Sequence, residues 1–459
     1  MRNLLVIVMV LLALCACAQA EELLVSPEGL SLTQAVAQAQ PGDVIRLAAG
    51  VYAEPAETYP IVIDKPLTIR AEHGAVLEGA LFKAVLTVEA SDVAVEGVTF
   101  SLLRWGVVGK ADRLQLRDCR FILADERQRV SSAGVWLAGA YDCTVMDCAF
   151  EGCGLCLAGP PLTARSSAMP VLTGLFEVGE DPALFTSHTI RNNTVNGQPL
   201  VFLCGEEDVV IPADAGQAIV VCCNGVTADG LQVTDSSMGL QIIHSTNVTV
   251  KNTTVARCGV FGVYLAYIEG GVLENVAVTE TNHGIDLRNV QSVLVTDCRA
   301  EDCEQGIFLT WVFDSVVDRC VVRRCGFGFF ASTGRDNQLS RTLSEDSKTG
   351  FYLQNEKNTL ITGCTVKGSE VAALRVLRSG GQMMHSDFVD NWVGVLAVEA
   401  EPLTVGFCGF AGSGSTHVYM SDSQGIKLTG NTFDMPQEAS VVREGDVTRL
   451  VMADNAFAE

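Results

Sequence analysis

The sequence predicts an all-β fold, a right-handed parallel β-helix of about 22 residues per coil with a short capping helix at its N-terminal end. Three observations carry this. The same grammar recurs at a fixed spacing, each recurrence holds short β-branched strands without a helical stripe, and cysteines recur in columns where valine, threonine or serine also fits.

The spacing is clearest between 246 and 380. TNVTVKNTTVARCGVFGVYLAYI is followed by EGGVLENVAVTETNHGIDLRNV, QSVLVTDCRAEDCEQGIFLTWV, FDSVVDRCVVRRCGFGFFASTG, RDNQLSRTLSEDSKTGFYLQNE and KNTLITGCTVKGSEVAALRVLRSG. Looser copies start near Asp92, Asp112, Tyr141, Gly381, Glu401 and Gln424. Each copy offers two or three strands of alternating Val, Ile, Leu or Thr, parted by Asn, Asp and Gly. One coil cannot bury its apolar face alone; stacked coils can, at a strand spacing of about 4.8 Å. The leucine-rich pattern Leu-x-x-Leu-x-Leu-x-x-Asn is missing.

Stacking assigns the cysteines. Eight positions before the strand glycine, successive coils hold Val276, Cys298, Cys320, Thr342 and Cys364. Three positions before it they hold Thr281, Cys303, Cys325, Ser347 and Ser369. A metal ligand does not exchange with valine, whereas a small buried residue does. The Cys-x4-Cys pairs, Cys148 and Cys153 included, are therefore expected inside the coil, with disulfides and a metal site as the weaker readings.

The N-terminus, MRNLLVIVMVLLALCACAQAEE, reads as a signal peptide over residues 1–20. An A-x-A cleavage site precedes Glu21. Leu14-Cys15-Ala16-Cys17 also fits a lipobox, with Cys17 lipidated. Either way the chain is expected to be exported to the periplasm or cell surface of a bacterium. No run of 18 apolar residues follows, so no integral membrane domain is expected. Residues 21–90 hold the cap and first coils. SLTQAVAQAQPGDVIRLAAGVY gives a short helix capped by Ser31 and ended by Pro41-Gly42. The β-helix spans 91–447, interrupted at 154–185 by GPPLTARSSAMPVLTGLFEVGEDPALF, and 448–459 form the C-terminal end.

With 31 basic and 54 acidic residues the net charge is −23, which argues against nucleic acid and polyanionic partners.

The helix-and-turn segment from Ser31, with IVIDKPLTIRAE after it, resembles the cap of pectin-lyase-like β-helix proteins. NNTVNGQPLVFL and IPADAGQAIVVCCNGVTADGLQVTDSSMGLQIIHSTNVTVKNTTV resemble the NosD family of periplasmic copper-associated β-helix proteins. The resemblance covers roughly residues 25–400. It implies a periplasmic or surface protein and, for the namesake members, an accessory role in copper supply to nitrous oxide reductase.

Catalysis has little support in the residues. Sugar-cleaving β-helices need paired carboxylates as acid and base, and no Asp-Asp occurs. The nearest fragment is Asn282-His283-Gly284-Ile285-Asp286, already explained by the repeat.

Between the inward residues of Gly-Ile-x-Leu, x points outward. Down the coils x is Gln241, Tyr264, Asp286, Phe308, Phe330 and Tyr352, with Trp136 in the same slot earlier. A neighbouring column holds His244, Tyr267, Asn289, Trp311, Thr333 and Asn355. An aromatic face is costly unless used or covered. It binds a glycan or envelope protein, with Asp286, Arg288, Asn289 and Gln354 as polar partners, or it is roofed by residues 154–185 or by a second copy in a homo-oligomer. For copper, Met383 and His385 are the candidate ligands, since alternate residues share a strand face. The leading expectation is a non-catalytic, exported binder; a polysaccharide lyase or hydrolase and a copper-delivery accessory are the alternatives.

Overall fold

The structure is a computed structural model that describes residues 20–159 and 179–459. The leader up to residue 19, with Cys17, and residues 160–178 of the expected insertion lie outside the described residues.

The chain is a parallel β-solenoid of about 19 turns. Short strands alternate with turns whose corner residue takes a left-handed conformation. Asn and Asp supply many corners, as at Asn252, Asn275, Asp297 and Asp302 (φ 49 to 55°), because their short polar side chains tolerate that region. The punctuating Asn and Asp of the repeat are therefore the bends of each coil.

The coils form two stacks. The first carries a seven-stranded sheet running from Glu22–Val25 to Thr189–Arg191 and a five-stranded sheet from Ile61–Ile63 to Leu155–Ala158. Its last short strand, Thr194–Val195, pairs antiparallel with Gln198–Cys204, the partners being Thr194 with Pro199 and Val195 with Gln198. The chain reverses there and a second stack begins. One face of the second stack has eleven strands, from Gln232–Thr234 to Ala456–Phe457. Coils thus continue through residues 448–459, where Val451–Ala453 and Ala456–Phe457 pair onto the preceding coil.

The start of the first stack is closed as expected. The helix Leu32–Gln38 has a capping box, Ser31 Oγ accepting from the Gln34 N–H at 3.2 Å and Gln34 Oε1 from the Ser31 N–H at 3.4 Å. The buried Glu57 carboxylate accepts from the Leu32 and Thr33 N–H groups at 2.7 and 2.8 Å. It satisfies donors that the helix itself leaves open.

Inside, the register puts Arg299 beside Val321, so Cys298 lies beside Cys320. Both columns read from the sequence are buried, Val276 through Cys364 and Thr281 through Ser369. The fifteen cysteines from Cys119 to Cys408 are free thiols. Phe388, Phe410, Phe433 and Phe457 stack face to face at 4.6 to 4.9 Å between centroids, one ring per coil.

The junction between the stacks is built by side chains imitating a strand. Leu155–Ala158 is the edge of its sheet. Gln217 Nε2 donates to the Leu155 carbonyl at 2.5 Å, and the Leu155 N–H donates to Gln217 Oε1 at 3.1 Å. Gln241 does the same for Leu157, at 2.7 and 3.4 Å. Both glutamines are fully buried, and their amides supply the donor and acceptor an edge strand lacks.

Candidate ligand face

The outward column is continuous. Backbone pairing sets Gln241, Tyr264, Asp286, Phe308, Phe330, Tyr352 and Arg375 side by side on successive coils. Strand alternation explains it: Ile307 and Leu309 are buried in the core while Phe308 between them points out.

The first stack covers the early part of the column. Trp136, Met238, Phe261 and Tyr264 form one buried cluster with Ala133, Ala138 and Cys156. Trp136 and Tyr264, both expected to bind ligand, are 2% and 1% exposed and hold the stacks together instead. Burial pushes the Tyr264 phenol above its ordinary pKa. Gln241 is taken by Leu157. The roof expected from residues 154–185 is thus contributed in part by Leu155–Ala158, together with the strand Ala133–Ala138.

Asp286 is also removed from the ligand set, since its side chain is fully buried. His283 Nδ1 lies 2.7 Å from Asp286 Oδ2, and Arg288 Nε and Nη2 reach the two carboxylate oxygens at 2.9 and 3.0 Å. A carboxylate only accepts, so His283 Nδ1 carries the proton. Burial pushes the Asp286 carboxyl up, but Arg288 and the hydrogen bonds from His283 and Arg288 outweigh it and hold the carboxyl below its usual range. Phe261, Tyr264 and Phe308 surround the Arg288 guanidinium at 5.5, 5.7 and 5.9 Å from their ring centres.

The column opens beyond Asp286. Phe308 and Phe330 are half-buried and stack in parallel, 4.3 Å apart with planes 5° from each other. Tyr352 meets Phe330 edge-on at 5.1 Å and is itself 7% exposed, because the Arg375 guanidinium lies 4.6 Å above its ring. The exposed part of the ladder is therefore the Phe308–Phe330 pair, with Arg288 on one side and Arg375 on the other.

The neighbouring column is a corner of the coil. His244, Tyr267, Asn289, Trp311, Thr333 and Asn355 all have left-handed backbones, φ 48 to 59°. Trp311 is half exposed at that corner, three residues beyond Phe308 on the same strand, Gln305–Phe313. Farther along, the corner residues Thr333, Asn355, Arg378, Glu399 and Asp422 line an open groove of ≈ 740 Å³ with Lys357 and Glu401.

Met383 and His385 do not meet. Met383 is buried in the core, in register with Ile361 and Val405. His385 is an exposed corner residue stacked on Phe407 at 5.2 Å. The strand ends at Met384 and the corner at His385 breaks the alternation that would have set both on one face. Among the described residues no group of three His, Cys, Asp or Glu side chains is placed to hold a metal ion, and no helix is long and apolar enough to cross a membrane.

Residues 183–343 and 339–458, more than half of the chain, match the family described as right handed beta helix region. The chain belongs to this family. The chain is also similar, at low identity, to several solved structures. They include tailspike protein 3 of bacteriophage CBA120 (10% identity, 91% of this chain and 58% of that one, TM-score 0.28). Others are the periplasmic alginate epimerase AlgG (8%, 90% and 85%, TM-score 0.27) and the endo-xylogalacturonan hydrolase of Aspergillus tubingensis (8%, 83% and 92%, TM-score 0.31). The chain spans little more than half the length of the tailspike. No curated protein matches it in sequence.

Sequence reading missed Arg375 and Phe327. Arg375 sits in the x slot of the coil after Tyr352, so the spacing already marked it. Phe327 packs on Phe330 and Tyr352 at 6.1 and 5.9 Å from the start of its own strand.

Proposed function

We propose that this right-handed beta helix binds a glycan on the outward column of its second stack, with the sugar laid across Phe308 and Phe330. The parallel, half-open Phe308–Phe330 pair carries the reading, because flat apolar rings suit the apolar face of a sugar ring. Arg375 lies over Tyr352, in the next coils of the same column, and offers hydrogen-bond donors, whereas Arg288 is held by Asp286. The polar corner groove lined by Asn355, Arg378 and Asp422 suits the hydroxyls of a longer chain. Export, by the leader ending at Ala20 or by lipidation of Cys17, brings this face to glycans of the periplasm or cell surface. The NosD resemblance adds an accessory role there.

A glycan array tests it. Wild-type protein should retain a glycan, and Phe308→Ala/Phe330→Ala should weaken it at least tenfold, about 1.4 kcal/mol. Wild type binding none, or a double variant binding equally well, removes the proposal; binding only to an envelope protein would reassign the face.

A second reading, cleavage or epimerisation of a polysaccharide on the same face, is favoured by one observation: His283 is oriented by Asp286 at the edge of the ladder. It requires product formation that disappears in Asp286→Asn.

A further inference from the structure

One coil departs from the rule that the others obey. Gly239, Gly262, Gly284, Gly306, Gly328, Gly350, Ala373 and Gly394 occupy one column of the second stack. Crowding explains the small residues. A Cβ on Gly306 would stand 2.6 Å from the Gly328 carbonyl, and one on Gly394 would stand 2.4 Å from the His417 carbonyl. The next residue in the column is His417. It fits because the following coil leaves the strand course as a helical turn, Gln437–Ser440, before pairing resumes at Val441. Packing asks only for a small side chain here, and the chain supplies a buried imidazole.

That imidazole joins a serine to a carboxylate. Its side chain is fully buried, 5.7 Å from the centres of the Phe410 and Phe433 rings. His417 Nε2 lies 2.8 Å from Asp434 Oδ1, and Nδ1 lies 2.7 Å from Ser413 Oγ. The Gly412 N–H fixes the other Asp434 oxygen at 2.8 Å. Since a carboxylate only accepts, Nε2 carries the hydrogen and Nδ1 takes the Ser413 proton as acceptor. Burial lowers the His417 pKa and Asp434 only partly restores it, so the ring is neutral at pH 7, the form a base needs.

The serine is accessible. Half-buried Ser413 stands between Gly412 and Gly414. The neighbouring N–H groups of Gly414 and Ser415 donate to Asn391 and Trp392 carbonyls, while among the described residues the Ser413 N–H meets no backbone acceptor. Trp392, 56% exposed, forms a flat wall: a Cβ on Gly414 would touch its indole at 2.7 Å.

We propose that Ser413 is a nucleophile toward short-chain acyl esters, with His417 as its general base and Asp434 as the residue that positions His417. The Ser413 oxygen attacks the ester carbonyl carbon as its proton passes to His417 Nδ1. The tetrahedral oxyanion forms beside the Ser413 N–H. Collapse breaks the bond to the alcohol, which leaves with the proton from Nδ1. Water then attacks the acyl-serine, gives its proton to Nδ1, and releases the carboxylic acid and Ser413. The serine, base and orienting carboxylate follow the general logic of hydrolytic triads, with the two ring nitrogens exchanged.

A fluorophosphonate probe and p-nitrophenyl acetate test this on the full chain. The probe should label wild-type protein on the peptide containing Ser413 and leave Ser413→Ala unlabelled. Turnover should fall roughly 10²-fold or more in Ser413→Ala, with unchanged melting, since the loss is of catalysis and not of packing. Asp434→Asn should slow turnover at least tenfold and move the acid limb of the pH profile to lower pH, because Asp434 raises the proton affinity of His417. A wild-type protein that takes no label, or turnover that survives in Ser413→Ala, overturns the proposal.

Discussion

The two stacks place bulky residues in the same outward slot and use them in opposite ways. In the first stack, Trp136 is buried against Met238, Phe261 and Tyr264 of the second. In the second, Phe308 and Phe330 keep part of their faces open. The repeat decides which way a side chain points. What stands opposite decides whether it becomes glue or a surface, and that depends on the reversal at Thr194–Pro199.

The comparison breaks most sharply at the junction. Trp136→Ala should cost about 3–5 kcal/mol, as for other buried large-to-small changes. Denaturant unfolding should then show two transitions, one per stack, where wild type should show one. A single unshifted transition would mean that Trp136 does not couple the stacks. Gln217→Ala and Gln241→Ala should each cost about 1–3 kcal/mol, because each strands a backbone N–H and carbonyl of Leu155–Ala158. Hydrogen exchange should rise at Leu155 and Leu157 respectively, and protection that stays put would refute the strand-mimic role.

Smaller effects sharpen the picture within the second stack. Asp235, Asp297 and Asp302 are held below the usual carboxylate range by hydrogen bonds from Arg257, Arg319 and Arg324, each 22 residues on. The stability these pairs add is fully present above about pH 4 and is lost as pH falls through the depressed values. Buried Glu356 behaves oppositely: burial raises its pKa, so its stabilising share is complete below the unfolded value near 4.5 and fades as pH rises through the raised one. Glu356→Gln should therefore be relatively more stable than wild type at pH 8 than at pH 4, by a melting comparison. An unchanged difference would show that Glu356 titrates alike folded and unfolded.

Much of this architecture was legible because stacking makes a column of residues interchangeable. Cys298 and Cys320 could be placed inside since Val276 shares their slot, and the ladder followed from strand alternation. The capping box at Ser31 was local and also legible. The use of the ladder was not, because Trp136 and Tyr264 are buried by a contact between segments more than 100 residues apart in sequence. Asp286 looked outward on the repeat but is enclosed with His283 and Arg288. His385 was misjudged because it sits at a left-handed corner, where alternation stops. His417 was visible all along as a large residue in a glycine slot, but its partners Ser413 and Asp434 come together only when the coil closes.

The most direct test of the central claim compares one column at two positions. Calorimetric titration of the retained glycan should give an affinity at least tenfold weaker for Phe308→Ala/Phe330→Ala and within about twofold of wild type for Gln241→Ala, which shares the column but lies under the first stack. Equal loss in both variants, or no loss in the ladder variant, would contradict the assignment of the open rungs as the ligand face.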